Sequence, residues 1–176
     1  TENCSPCCNV SATKPWGSTM SKHLLRGQDI AALPLKRVQH QFNDNALRLT
    51  RSLSEATGLT RLGLHMVTVE PGRDSTTHHY HDADEEFIFI VSGEATAKIG
   101  DKRFTVRAGD FMGFPAPSAP HSLHNHSDVD LVYLMGGESA AVDVVHYPDI
   151  ARSMVKSHGQ RRYSDWSDIY DVPPRE

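Results

Sequence analysis

The sequence carries almost no cysteine where a fold could use it. All three cysteines, Cys4, Cys7 and Cys8, lie among the first eight of 176 residues. An odd number at one end cannot build a disulfide framework, and three thiols without a neighbouring histidine do not close a tetrahedral metal site. Thiol chemistry is thereby excluded from the rest of the chain, and the expected compartment is the cytoplasm. Basic runs are also missing: 18 Lys and Arg stand against 22 Asp and Glu, for a net charge of −4. Nucleic acid is therefore not an expected partner. No apolar stretch approaches the roughly 20 residues of a membrane span, so no membrane association is expected. Residues 1–19 lack the charged start and apolar run of a secretory signal. Met20 opens an ordinary-looking protein start, so 1–19 are expected to be a disordered leader or a vector-derived extension. Neither a glycine-rich phosphate loop nor a Ser-His-Asp arrangement is legible.

Long helical periods are scarce too. Residues 20–60 read as an N-terminal arm with scattered apolar anchors, Leu24, Leu25, Ile30 and Leu33. Within it a short helical turn is expected, capped by Ser52 or Ser54 and stopped by Gly58. From residue 61 the texture becomes strands and turns: "RLGLHMVTV" before Glu70-Pro71-Gly72, "EATAKI" before Gly100-Asp101, "RFTVR" before Ala108-Gly109-Asp110, then "FMGF", "HSLHN", "VDLVYLMGG" and "VDVVHYP". Many short strands at close spacing predict an all-β antiparallel sandwich or barrel over 61–150. The polar tail, 151–176, keeps Tyr163, Trp166, Ile169 and Tyr170, so it is expected to pack on the barrel or on a second subunit.

What the chain does have is histidine beside carboxylate. "THHYHDADEEFIFIVSG" (77–93) holds three histidines and two glutamates directly before an apolar run. Along a strand, i and i+2 share a face, so His79 and His81 project together, about 7 Å apart. Across a hairpin, Glu86 begins a strand with Ile88 and Ile90 on one face and Phe87, Phe89 and Val91 on the other. If Glu86 points toward the histidines, Ile88 and Ile90 line the cavity more deeply. A fourth donor would come from "PHSLHNH", where His121, His124 and His126 all qualify by residue type and parity does not choose among them. His78 and Tyr80 fall on the opposite face and are expected at the surface or an interface. Asp82 and Asp84 read as hairpin polars, and Glu85 as solvated. Two phenylalanines on an outer face make a costly exposed patch. They are expected to be covered by the arm or by a second subunit, so a homodimer is expected.

The segment resembles the cupin superfamily. The first cupin motif is matched by Gly72, His79-Tyr80-His81, four residues, Glu86, six residues and Gly93. The second is matched by Gly109, five residues, Pro115, then His121, three residues and Asn125. Two departures fall in loops: the spacer after Gly72 is one residue longer than usual, and Pro115-Ala116-Pro117 stands where Pro-x-Gly is usual. The resemblance covers roughly 60–136. It implies a double-stranded β-helix or jelly-roll barrel and one divalent metal on His79, His81, Glu86 and His121. The segment "DVVHYPD" is further similar to a branch of small stand-alone cupins sometimes labelled, provisionally, sugar-phosphate isomerases.

Such a site leaves coordination positions open, and its borderline ligands do not choose among zinc, iron, manganese, nickel, cobalt and copper. Three functions are expected from it. The first is isomerase- or lyase-type proton abstraction next to a carbonyl of a small oxygenated molecule. The second is an iron-dependent dioxygenase, and the third a non-catalytic binding or sensing module. Glu86 is the candidate base and Tyr133 the candidate polar pocket residue. Ile88, Ile90 and Tyr133 are the candidate substrate contacts. With the apolar faces of 94–99 and 103–107 turned inward, no cation from these strands lines the cavity, which disfavours a phosphorylated substrate. Arg61 and Arg73 remain as rim cations.

Overall fold

A computed structural model describes residues 23–170 and 172; the cysteine cluster, the expected leader 1–19 and Met20 lie outside the described residues. The chain forms β1 (Lys36–His40), β2 (Asn43–Ser52), β3 (Leu62–Val69), β4 (Tyr80–His81), β5 (Glu86–Ser92), β6 (Glu94–Ile99) and β7 (Lys102–Arg107). It continues with β8 (Phe111–Phe114), β9 (His121–His124), β10 (Leu131–Glu138), β11 (Val142–Tyr147), β12 (Arg152–Ser157) and β13 (Gln160–Asp165). Two short helices, α1 (Gly27–Ala32) and α2 (Leu53–Thr57), are the only α-helices among the described residues.

The strands pair in a six-stranded sheet, β1-β2-β3-β10-β5-β8, a four-stranded sheet, β13-β12-β11-β4, and a three-stranded sheet, β7-β6-β9. All strand pairings are antiparallel. This is the double-stranded β-helix, but hydrogen bonding runs in three sheets and does not close one ring as a barrel would. The core lies between the sheets, where alternate residues of β3, β5, β6 and β10 meet: Val67, Val69, Ile90, Ala95, Leu131 and Tyr133 are all buried. Burying each large member of this set stabilises the fold by about 2–3 kcal/mol.

The turn chemistry follows the sequence. Ser52 caps α2, its Oγ accepting from the Glu55 amide at 3.2 Å, and Gly58 ends it in the left-handed region at φ 78°. Gly93 has φ 85°, and a Cβ there would stand 2.6 Å from the Asp130 carbonyl oxygen. Only glycine fits that bend between β5 and β6. Asn125 is fully buried. Its Nδ2 donates to the carbonyls of Val69 and Val129, each at 2.8 Å, and its Oδ1 accepts from the Ser127 hydroxyl at 2.7 Å. It thereby pins the end of β9 to β3.

The arm is placed differently from the sequence reading, and the tail is partly sheet. The stretch 36–52 supplies two strands of the largest sheet, with β2 paired to β3. It joins the β3 side of that sheet, so it does not cover Phe87 and Phe89 on β5, and Phe89 stays 39% exposed. "ARSMVKS" is strand β12, and β13 adds a further strand to it, so much of the tail is sheet. Tyr163 of β13 packs edge-on against Phe42, with ring centroids 5.0 Å apart, while Ile169 and Tyr170 are exposed.

Candidate metal centre

Three imidazoles converge on one oxygen. Nε2 of His121, His81 and His79 lie 3.2, 3.4 and 3.6 Å from the same Oε2 of Glu86. The four groups come from three places in the chain. His79 sits just before β4 and bridges to His121 at the start of β9, with backbone hydrogen bonds in both directions. His81 ends β4, which is held on β11 through Val145. Glu86 opens β5 opposite Gly137 of β10, whose missing side chain leaves room for the carboxylate. His121 is fixed further by Phe114, which stacks on it with centroids 3.6 Å apart and planes 6° from parallel.

The far nitrogen of each ring is engaged. Nδ1 of His79 lies 3.0 Å from the Thr77 carbonyl oxygen, Nδ1 of His121 lies 3.4 Å from that of Ala119, and Nδ1 of His81 lies 2.6 Å from Asp143 Oδ2. Carbonyl oxygens only accept, so Nδ1 carries the proton in His79 and His121, and the Nε2 lone pair faces the centre. Asp143 does the same for His81 with a charge. Asp143 is itself buried, and its Oδ1 accepts from the Ala83 amide at 3.0 Å.

The electrostatics match. Burial alone would raise the Glu86 carboxyl, but hydrogen bonds to His121 and His79 and the nearby His81 outweigh it, and the group is held well below the usual carboxylate range. Burial lowers His79 to about 4, only partly opposed by Glu86. Asp143 is lowered against its own burial by the hydrogen bonds from His81 and the Ala83 amide. At neutral pH the centre thus presents a carboxylate together with a neutral His79. Lone pairs aimed at a carboxylate oxygen at such distances repel unless a cation or shared protons lie among them. The donor set of neutral nitrogens and one carboxylate oxygen fits a divalent cation of the zinc, manganese, iron or nickel type. His79, His81 and Glu86 offer donor atoms mutually within 4.8 Å.

The remaining candidates fall as follows. Tyr133 is inward and 1% exposed. Ile90 is wholly buried in the core, and Ile88 packs against it half-buried. His124 and His126 stand apart from the centre: His124 ends β9 with Nδ1 2.7 Å from Asp74, and His126 pairs with Glu94 at 3.1 Å. His78 is buried rather than at the surface, its Nδ1 3.3 Å from the Ser122 hydroxyl, because β9 covers that face as well. Asp84 is no hairpin polar. It is buried, paired with Lys156, and accepts from the Ala140 amide at 2.9 Å. A Ser-His-Asp series does exist: His146 lies 2.9 Å from Ser153 Oγ and 3.0 Å from Asp82 Oδ2. Ser153 is buried and accepts from the Trp166 indole at 2.8 Å, so the series locks the tail to β11 and offers no accessible nucleophile. Among β6 and β7 residues, Lys98 pairs with Asp149, as expected of a side chain turned away from the cavity. The inward cation comes instead from β2, as Arg48.

A family model described as a cupin domain matches residues 65–137. A protein from Acidithiobacillus ferrooxidans, named provisionally as a sugar phosphate isomerase, is 33% identical, with a TM-score of 0.84 over 87% of this chain and 98% of that one. A sugar phosphate isomerase from a cupin superfamily, from Silicibacter pomeroyi, is 22% identical, with a TM-score of 0.70 over 77% of this chain and 87% of that one. The polyketide cyclase RemF from Streptomyces resistomycificus is 18% identical, with a TM-score of 0.55 over 65% of this chain and 80% of that one, a likeness of fold alone. The comparison with curated proteins found no match. With two motifs in order, a matching domain model and a relative alike over nearly its whole length, the chain belongs to the cupin superfamily.

Proposed function

We propose that the protein is a metal-dependent enzyme acting on a small oxygenated molecule by isomerase- or lyase-type proton abstraction beside a carbonyl. The observation that carries this reading is the convergence of three Nε2 atoms on one Glu86 oxygen, with each Nδ1 tied back. His79, His81, Glu86 and His121 are the proposed ligands. A divalent cation held there supplies Lewis acidity to a substrate oxygen.

The chain's own groups supply the rest. Glu86 is the one carboxylate among the four donors, and it is the proposed proton acceptor when its free oxygen turns toward substrate. Tyr133 is kept protonated: burial raises its phenol above the ordinary value, so it serves as a hydrogen-bond donor. Ile88 and the ring of Phe114 wall the site and keep water out. The likeness to a provisionally named sugar phosphate isomerase supports carbonyl chemistry over an oxidative reaction.

Elemental analysis of the protein purified without added metal tests the choice. Manganese, zinc or nickel at one per chain is the expected result. Iron, with substrate-dependent oxygen uptake, would favour the dioxygenase. A chain with no metal and Glu86 engaged only by protonated histidines would favour the non-catalytic binding module.

A further inference from the structure

One cation on the inner face has nothing of opposite charge beside it. Thr50 of β2 pairs with the core residue Val67, so Arg48, two positions away, shares its inward face. Its Nη1 donates to the Ser75 carbonyl at 3.3 Å, while its Nε is buried and has no hydrogen-bond partner. Among the described residues Arg48 forms no salt bridge. A guanidinium does not deprotonate, so its charge persists wherever it is buried.

The groups that feel its charge are rings. His40, His65, Tyr133 and Tyr147 all lie near enough to feel its charge. Burial first, and Arg48 second, push both histidines below their ordinary value. Nε2 of His40 and Nδ1 of His65 are buried without partners as well. Burying a charge among neutral groups is costly unless something compensates it. An arrangement with one persistent positive charge, a free donor and two unengaged ring nitrogens suits an incoming anion.

This cluster adjoins the metal-type centre. The Tyr133 phenol feels both Arg48 and Glu86. Thr77 joins the two sites: its hydroxyl lies 2.9 Å from His40 Nδ1, and its carbonyl holds His79 Nδ1. Tyr147 lies against both, with ring centroids 5.1 Å from His40 and 6.0 Å from His79.

We propose that Arg48 anchors an oxyanion, the carboxylate or phosphate of a small anionic substrate whose other oxygens reach the His79, His81, Glu86 and His121 centre. The inference deepens the metal-enzyme reading and rests on it for the second half of the substrate. It assigns a binding role to a strand that the motifs do not include, and it removes the objection to a phosphorylated substrate drawn from β6 and β7.

Calorimetric titration of the full chain with inorganic phosphate and, separately, malonate at fixed ionic strength tests it. The wild type is expected to bind one of the two saturably in the millimolar range, and which one identifies the anion. Arg48→Gln is expected to weaken that binding at least tenfold, and Arg48→Lys to restore part of it, with metal content unchanged in both. The Arg48 Nε–H resonance of the wild type, assigned by its loss in Arg48→Lys, is expected to move on saturation. Equal binding by wild type and Arg48→Gln, an unmoved Nε–H resonance, or no saturable binding of either anion overturns the proposal. Running the titration on chelator-treated protein separates the two readings. Arg48-dependent binding that persists in a chain that never holds metal would sink the metal centre and leave the anion site standing.

Discussion

Asp143 and His81 are 62 positions apart, yet Asp143 Oδ2 lies 2.6 Å from His81 Nδ1. β11 carries Asp143 to that point by pairing with β4. The contact orients the imidazole and fixes which ring nitrogen faces the centre. Asp143→Asn is expected to weaken metal binding roughly 10–100-fold while the protein stays folded, as read by competition with a chelator. An affinity equal to wild type would mean that Asp143 only fills space.

Two adjacent glycines of β10 separate packing from site geometry. A Cβ at Gly137 would stand 3.0 Å from Glu86 Cγ and 2.7 Å from the Glu85 carbonyl oxygen. Gly137→Ala is expected to displace Glu86 and weaken metal binding. A Cβ at Gly136 would instead run into Phe87 and Leu64 on the outer face. Gly136→Ala is expected to cost about 1–3 kcal/mol in denaturant unfolding with metal binding retained. The opposite pattern would contradict the placement of Glu86.

Acid should destabilise the metal-free protein in a defined window. His79 falls from its ordinary 6.5 to about 4 on folding. Between those values the unfolded chain binds more protons, so the stability His79 contributes is complete above about pH 6.5 and is lost by about pH 4. The loss is up to about 3 kcal/mol. Glu86, lowered as well, removes further stability as pH drops below the ordinary carboxylate range. Urea midpoints at pH 7, 5.5 and 4 check this, and His79→Gln should flatten the upper part of the curve. A midpoint that rises toward acid would contradict it.

The outer face of β5 and β8 presents Phe89, Val91 and Phe111, the last 65% exposed, with Phe87 stacked against Phe111 at 5.9 Å. Apolar surface gathered in this way is costly to leave in water. A second copy is its expected occupant, so gel filtration should give about twice the 19.5 kDa of one chain. Phe111→Glu should yield the monomer. A wild-type monomer with both rings exposed would remove the dimer.

The readable parts of the fold were those decided locally. Ser52 and Gly58 bound a helix because capping and left-handed geometry are properties of single residues. Parity put His79 and His81 together, and motif spacing was needed to choose His121 over His124, since β9 carries both on opposite faces. Parity failed for His78, because β9 covers that face too and brings the Ser122 hydroxyl to its Nδ1. Asp143, Arg48 and the Thr77 carbonyl were not legible. Each acts only after distant strands have paired: β11 on β4, and β2 on β3. An inward arginine in a stretch that reads as an arm gives no local sign of its direction.

The most direct test is metal content per chain in the wild type and in His79→Ala and His121→Ala, measured by elemental analysis after dialysis without chelator. About one divalent ion per wild-type chain, reduced to near zero in both folded variants, is the expected result. Unchanged metal content in either variant would contradict a centre built on the oxygen that His79, His81 and His121 share at Glu86.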